Sequence, residues 1–289
     1  MDERTRAVAA LNAILDFGRR LAQDHQRQMP CPSYDSAKAV ILTLFAAAHR
    51  SAGAAAELLR RKWADEAQVI GRSAFEHVVY AYLVNHDDRQ RRLFVHYGAS
   101  LGRWDEIDAY MRVFPDTDQS LLAPERSQAH RASLRAVVDL GLIDGDTEQA
   151  RQADLRCLAD HPEILYTRLN KAYPRHRRGG VRAWCPKSLY EIAREVDEAR
   201  GTPTFLTLYR LLYVNASRVA HSDPSTVGLV RTDDPATLLM GPDPSWTVPV
   251  VTAIGQLLLG IDELVNEVFQ LGLDEGLADA AAAFQASLS

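Results

Sequence analysis

The stretch VIGRSAFEHVVYAYLV at residues 69–84 decides the fold class. Its apolar residues recur at intervals of three and four, which is the period of an α-helix with a buried face. The same spacing runs along most of the chain, and alternating runs of β-branched residues are scarce. We therefore expect an all-α protein: a compact multi-helix bundle with two irregular loop insertions, at 161–186 and 222–245. The second insertion contains GLVRT and TLLMG, which predict a short hairpin.

The helix pattern also gives boundaries and a domain organisation. PCPSYD at 30–35 precedes the second helix, with Asp35 or Ser36 as its N-cap, and FPDTD at 114–118 ends the fourth. We expect a single helical domain over 1–289, with a core at 36–270 and with helices 1–28 and 274–287 as additions. The expected helices are 3–28, 36–61, 63–85, 88–113, 118–141, 146–160, 187–199, 203–221, 246–271 and 274–287.

Composition narrows the class of protein. The 289 residues are 47% hydrophobic, which is ample for a globular core, and the net charge of -5 means that any contact with nucleic acid must be local. The cysteines Cys31, Cys157 and Cys185 show no CxxC spacing and are odd in number, which indicates a reducing, cytoplasmic location. The N-terminus lacks the pattern of a secretory signal, and the longest apolar runs fall short of the roughly 20 residues of a spanning helix, so no membrane segment is expected.

A polar row follows the first quoted stretch. Arg72, Glu76 and Tyr80 are spaced by four residues, so they lie on one face of the predicted helix. The surrounding residues are apolar, and we expect the row to be at least half buried. Arg72 and Glu76 are close enough to pair. The row is either a candidate site or an ordinary ion pair that fixes helix packing, since functional and structural networks look alike at this level.

A second row follows YRLLYVNASRVAH at residues 209–221. Tyr209, Tyr213, Ser217 and His221 are again four residues apart, and His221 lies near the helix end, where the helix dipole favours its protonated form. A Ser217–His221 pair would suit nucleophilic chemistry if Glu76 or Asp223 oriented the imidazole. The alternative is a hydrogen bond that serves packing, and the chain has no GxSxG elbow.

A basic segment at 171–187 is interleaved with aromatic residues. Such a segment predicts contact with RNA or a nucleotide through phosphates and a stacked base, and the alternatives are a solvated turn or an anchor for an acidic partner. Its residues are Lys171, Arg175, His176, Arg177, Arg178, Arg182 and Lys187, with Tyr173 and Trp184 among them. The chain has no Gly-rich phosphate loop, GxGxxG, HExxH, paired Glu-x-x-His or Cys/His zinc spacing, so no metal or cofactor is expected.

Together, AAELLRRKWADEAQVIGRSAFEHVVYAYLV at 55–84 and YRLLYVNASRVAHSDPS at 209–225 resemble a family of bacterial helical proteins, the domain of unknown function DUF5677. The family pattern joins an Arg-x-x-x-Glu helix to a Tyr…Ser-x-x-x-His-Ser/Pro segment. The resemblance implies a compact helical domain, over roughly 36–270, in which the two rows meet. It implies no settled activity.

RSAFEH at 72–77 also has the arginine-to-histidine spacing of the metal-independent HEPN ribonucleases, which are helical and usually dimeric. The same spacing occurs by chance at Arg20 and His25, Arg91 and His96, and Arg156 and His161, and Ser73 stands where many such nucleases carry Asn. This looser similarity implies RNA cleavage and a homodimer. His77 projects about 100° away from Glu76 on a helix, so it faces a different neighbour.

We therefore expect the two rows to share a polar pocket inside the bundle. In the ribonuclease hypothesis His221 or His77 is the general acid or base, Arg72 stabilises phosphate charge and Glu76 orients the histidine. The alternative is a non-catalytic helical module that binds a protein partner or a small ligand, and a third reading is a hydrolase that uses Ser217. The predicted binding residues are Tyr80, Tyr209, Tyr213, Ser217, Arg175, Arg177 and Arg178.

Overall fold

A computed structural model describes residues 2–30, 36–173, 184–185, 187–214, 229–231, 238–240 and 246–288. The protein is all-α, as predicted. A 3₁₀ turn covers Gln26–Gln28 and another covers Gln119–Leu122, while π-helical turns cover Gly98–Gly102 and Tyr209–Val214. The α-helices are α1 (Glu3–Asp24), α2 (Ala37–Arg60), α3 (Ala64–His86), α4 (Asp88–Tyr97), α5 (Arg103–Val113), α6 (Ala123–Asp139), α7 (Glu148–Asp160), α8 (Pro162–Ala172), α9 (Leu189–Arg200), α10 (Thr204–Leu208), α11 (Thr247–Phe269) and α12 (Asp274–Leu288).

The chain divides into two compact units. Unit 1 comprises Met1–His86 and Leu189–Ser289, and unit 2 comprises Asp87–Ser188. Unit 2 is therefore continuous in sequence, whereas unit 1 is assembled from the two ends of the chain. The expectation of one domain over 1–289 stays a prediction.

The described part of unit 1 is built around four long helices, α1, α2, α3 and α11. α2 packs along α3, and α11 packs against α1, α2 and α3, so the apolar faces of these helices form one core. Ser36 caps α2, because its hydroxyl accepts a hydrogen bond from the Ala39 N–H at 3.2 Å, which confirms one of the two predicted caps. The shorter helix α9 and the π turn Tyr209–Val214 pack against α3, and α10 packs against α9 and the π turn.

Unit 2 contains α4 to α8 around a core of its own. α4 and α5 occupy the predicted helix 88–113, but a π turn at Gly98–Gly102 joins them. In that turn the Ser100 hydroxyl is buried and donates to the His96 carbonyl. The core cluster consists of Leu93, Leu101, Ala136, Val137, Leu158, Leu165, Leu169 and Tyr173.

Two predictions about secondary structure need correction. The segment 161–186 is not irregular throughout, because α8 fills its first part, with Pro162 in the first turn and with Leu165 and Leu169 buried. The predicted helix 203–221 is not a regular α-helix, since α10 ends at Leu208 and a π turn follows it. The hairpin is confirmed: β1 (Leu229–Arg231) pairs antiparallel with β2 (Leu238–Met240).

Among the described residues, two helices are long and apolar enough to cross a membrane by length and composition. They are α2 and α11, both of which lie in the core of unit 1. Core helices of soluble proteins meet the same criterion, so this finding is weak support for a membrane span. The cytoplasmic location inferred from the cysteines stays a prediction.

Candidate functional site

The first polar row forms a partly exposed ion pair on α3. The Arg72 Nε–H donates to Glu76 Oε1 at 3.0 Å, which is the one-turn pairing that the four-residue spacing predicts. The two side chains are 31% and 30% exposed, so about two thirds of each is covered, as expected from the apolar neighbours. Water can therefore reach this pair, and a ligand can as well.

Arg72 also joins α3 to the π turn that carries the first part of the second row. Its Nη2 donates to the Tyr213 hydroxyl at 3.0 Å, and its Cζ lies 4.1 Å from the centre of the Tyr213 ring. A guanidinium over an aromatic face is attracted by the ring's quadrupole. The structure thus brings Arg72, Glu76 and Tyr213 together, although Arg72 and Tyr213 are 141 residues apart in sequence.

Three tyrosines continue this contact as an aromatic ladder, which we define as Arg72, Tyr213, Tyr209 and Tyr190. The Tyr213 and Tyr209 rings are stacked, with centroids 5.0 Å apart and an interplanar angle of 14°. Tyr190 meets Tyr209 edge to face at 5.7 Å. On its other side Tyr209 is 6.1 Å from the buried ring of Phe75. The ladder therefore rests on the core of unit 1, and Tyr190, which is 42% exposed, lies at its outer end.

Gln68 on α3 holds the π turn through a hydrogen bond to its backbone. Its side-chain amide donates to the Leu211 carbonyl at 2.5 Å, and Gln68 itself is buried. π turns break the regular hydrogen-bond ladder of a helix and often occur at functional sites. Gln68 lies one turn before Arg72, so α3 holds the turn at two successive points. The position of Gln68 on this face could have been predicted from the sequence, because Gln68, Arg72, Glu76 and Tyr80 are all spaced by four residues.

The other residues predicted for this site are placed as follows. Tyr80 lies one turn beyond Glu76 on α3. The His77 Nδ1–H donates to the Ser73 carbonyl on its own helix, and across the described part of the chain no hydrogen bond joins His77 to Arg72 or Glu76. Ser217, His221 and Asp223 lie outside the described residues. The catalytic roles of Arg72, Glu76, His77 and His221 stay predictions.

The basic segment at 171–187 is described only at its ends, since Arg175, Arg177 and Arg178 fall outside the described residues. Tyr173 is 1% exposed and its ring packs edge to face on Tyr97 at 5.4 Å, in the core of unit 2. Trp184 packs on Phe94 in the same way, at 4.9 Å. The Tyr173 ring is therefore occupied by packing in the core of unit 2, and contact of the basic segment with RNA or a nucleotide stays a prediction.

A buried His–Asp pair in unit 1 was not predicted. His49 on α2 contacts Asp262 on α11, with 2.8 Å between Nε2 and Oδ1. The Asp262 side chain is 0% exposed and that of His49 is 13% exposed. Burial raises the pKa of the Asp262 carboxyl, and the hydrogen bond from His49 opposes that rise. Among the described residues, none donates a hydrogen bond to Asp262 Oδ2.

Only a weak local signal pointed to this pair. Asp262 interrupts the apolar run LLLGIDELV at 257–265, and His49 ends the apolar run TLFAAAH at 43–49. A polar residue on the apolar face of a helix indicates that a buried partner exists. It does not say which residue the partner is, because the two lie 213 positions apart.

Within the described ranges, no group of three or more His, Cys, Asp or Glu side chains is arranged to hold a metal ion. The expectation that the protein needs no metal or cofactor stays a prediction.

Comparisons with known proteins give a family but no activity. No curated protein matches the chain, and no solved structure matches it. The profile of one family, described as "Family of unknown function (DUF5677)", matches residues 38–236. This range includes Arg72, Glu76, Tyr209 and Tyr213, and it ends before Asp262. Since the match covers well over half of the chain, the protein belongs to the DUF5677 family.

Proposed function

We propose that this protein is a metal-independent, HEPN-like ribonuclease, or a related toxin or phage-defence protein that processes phosphodiesters, with Arg72 as the group that stabilises phosphate charge. The observation that supports this proposal is the oriented guanidinium of Arg72, held by Glu76 and Tyr213 while about a third of the side chain stays exposed. A charged group that is fixed before the substrate arrives stabilises developing charge without the cost of reorganisation.

The chemistry needs a proton carrier beside this guanidinium. In RNA cleavage without a metal, a general base takes the proton of the ribose 2′-hydroxyl, the 2′-oxygen attacks phosphorus, and a general acid protonates the departing 5′-oxygen. His221 is the proposed carrier because it continues the row of Tyr209 and Tyr213. His77 is the alternative carrier, although its Nδ1 is engaged with Ser73.

The aromatic ladder supplies the second requirement, a surface for bases. Unpaired bases stack on aromatic side chains with little sequence preference, and a neighbouring guanidinium binds the backbone phosphate. Tyr190 offers the exposed end of such a surface, with Arg72 at the other end of the ladder. The basic residues Arg175, Arg177 and Arg178 are proposed to add backbone contacts, and two copies of the chain are proposed to act as a homodimer.

The test is cleavage of a labelled single-stranded RNA by the full chain in the presence of EDTA. We expect the wild type to cleave, Arg72→Ala to lower the rate by about 10²-fold or more, and His221→Ala to abolish cleavage. Arg60→Ala is the matched control, since Arg60 also pairs with a glutamate of its own helix, at 2.8 Å from Glu57. Intact RNA with the wild type, while a ribonuclease control is active, would refute the proposal. So would equal rates for Arg72→Ala and Arg60→Ala.

A second function, a non-catalytic helical module, is favoured by one observation. Both Arg72 hydrogen bonds described above go to the protein itself, as they would in a network that holds α3 to the π turn. In that case the ladder binds a protein partner or a small ligand without turnover. Fluorescence anisotropy separates the two functions: single-stranded RNA that is neither bound nor cleaved, together with loss of thermal stability in Arg72→Ala, supports the module.

A further inference from the structure

Unit 2 contains a half-open cavity of about 350 Å³, and no ladder residue is among those that line it. This volume is within the range of small-molecule sites, about 300–1,000 Å³. Three parts of unit 2 form the walls: the first half of α4, the chain that follows α6, and the last residue of α8. The lining residues are Asp88, Arg89, Arg92, Leu93, Leu140, Leu142 and Ala172.

The floor of the cavity is apolar and belongs to the core. Leu93 is a member of the core cluster of unit 2, and Leu140 and Leu142 pack against that cluster. Gly141, with a φ of 67°, reverses the chain after α6, and the Leu142 N–H then donates to the Val137 carbonyl at 2.8 Å. The floor is therefore fixed by helix packing and by a hydrogen-bonded helix terminus.

The rim carries two guanidinium groups and one carboxylate. Asp88 is paired through both of its oxygens, Oδ1 with Arg91 and Oδ2 with Arg92 at 2.8 Å. Arg92 also donates from Nη1 to the Asp139 carbonyl at 3.2 Å, which holds its guanidinium between α4 and the end of α6. Each of these contacts lies within unit 2.

Arg89 adds a further guanidinium to this group. In the described part of the chain it forms no hydrogen bond or ion pair, although it lines the cavity. Arg91 pairs with the same carboxylate although it does not line the cavity, so Asp88, Arg91, Arg92 and Arg89 together carry a net charge of about +2 at the rim. This positive charge favours an anionic ligand, and the apolar floor favours one with a hydrocarbon part.

We propose that this cavity binds a small organic monocarboxylate, with its carboxylate at Arg89 and Arg92 and its hydrocarbon part on Leu93, Leu140 and Leu142. A guanidinium presents N–H donors in a fork that matches the two carboxylate oxygens. The volume equals roughly a dozen water molecules at about 30 Å³ each, so the ligand is a short aliphatic or aromatic acid and not a long-chain lipid.

Ligand-observed NMR titration of the full chain with hexanoate tests the proposal, with hexan-1-ol as the uncharged probe of similar length. We expect saturable binding of hexanoate with a Kd of about 1 mM or tighter, and no saturable binding of hexan-1-ol in that range. Arg89→Gln, at an exposed position, should weaken hexanoate about tenfold or more. Ala172→Phe, which fills the cavity, should abolish it.

Arg131→Gln is the matched control, because Arg131 is an exposed arginine on α6 that donates to Ser127 Oγ at 3.0 Å and does not line the cavity. It should bind hexanoate as the wild type does. Absence of saturable hexanoate binding to the wild type would overturn the proposal. Equal weakening by Arg89→Gln and Arg131→Gln would also overturn it, as would equal affinity for hexanoate and hexan-1-ol.

Discussion

Replacing His49 by Leu should destabilise unit 1 by an amount that depends on pH. The substitution keeps a side chain of similar volume on α2 but removes the N–H that Asp262 binds at 2.8 Å. Asp262 is then a fully buried carboxylate without a donor among the described residues. Removing one partner of a buried pair typically costs about 3–5 kcal/mol, because the remaining charge has lost both water and its partner.

Protonation of Asp262 limits the loss of stability, because the variant can bind a proton instead of burying an unpaired charge. In the unfolded chain an aspartate has a pKa of about 3.9, and one pKa unit corresponds to about 1.36 kcal/mol. Binding a proton therefore costs about 4 kcal/mol at pH 7 and about 1.5 kcal/mol at pH 5, and a neutral carboxyl tolerates burial far better. We expect the unpaired carboxyl to lower the stability of His49→Leu by at most these amounts. The loss of stability therefore becomes smaller as the pH falls.

The sign follows from the direction of the shift. Burial raises the pKa of Asp262 in the folded protein above its unfolded value. The native state then binds more protons than the unfolded state in the window that begins near pH 3.9 and ends at the raised folded pKa. Stability in this window falls as the pH rises. The variant lacks the opposing hydrogen bond from His49, so its window extends to higher pH.

The assay must report on unit 1 separately, since the chain has two compact units. We suggest urea unfolding at pH 5 and pH 7 followed by hydrogen–deuterium exchange, with peptides from α2 and α11 as the probe and peptides from α6 and α8 of unit 2 as the internal reference.

His49→Gln, which retains an amide donor, should lose less stability than His49→Leu. The double variant His49→Leu with Asp262→Leu should recover most of the loss and its pH dependence, as apolar replacements of buried ion pairs often do. A loss below about 1 kcal/mol at pH 7, or an equal loss at both pH values, would refute the reasoning.

Two further predictions concern the packing that supports these sites. Gln68→Met should cost about 1–3 kcal/mol in urea unfolding, because the Leu211 carbonyl loses the amide donor at 2.5 Å, and an unchanged midpoint would contradict that role. Gly255→Ala should cost about 1–3 kcal/mol, since a Cβ there would lie 2.2 Å from Phe284 Cζ, whereas Gly53→Ala in α2, with open space around its Cβ position, should gain about 0.5–1 kcal/mol. Thermal unfolding compares the two alanine variants, and shifts of the same sign would contradict this difference.

The long helices could be predicted from the sequence because their signals are local. Ser36 caps α2, and α3 and α11 carry apolar residues at helical spacing over their whole length, so their expected ends fall within a few residues of the observed ones. α8 was missed because it begins with a proline and is only 11 residues long, so little periodicity is available. The π turn at Tyr209–Val214 was missed because the four-residue spacing of Tyr209 and Tyr213 also fits a regular α-helix, and the contact of the turn with Gln68 involves a residue far away in sequence.

The candidate site shows the same division between local and distant contacts. The Arg72–Glu76 pair follows from a four-residue spacing, and its 3.0 Å contact is the expected one. The contact between Arg72 and Tyr213 rested on the expectation that the two rows meet, and the described part of the second row does meet the first. No spacing rule predicts the pairing of His49 with Asp262, because it depends on how α2 and α11 pack.

Exposure to water separates the roles of these two polar networks. The Arg72–Glu76 pair is about one third exposed, and pairs of this kind contribute only about 0–1 kcal/mol to folding, since water competes for both charges. Loss of this pair should therefore change the free energy of unfolding little and should mainly weaken ligand binding or cleavage. Asp262 is fully buried, so removal of its partner should lower the stability of unit 1. If Arg72→Ala lowers RNA cleavage without changing the free energy of unfolding, the ladder takes part in ligand chemistry. If His49→Leu lowers the free energy of unfolding, whatever its effect on RNA cleavage, the His–Asp pair serves as the link between α2 and α11.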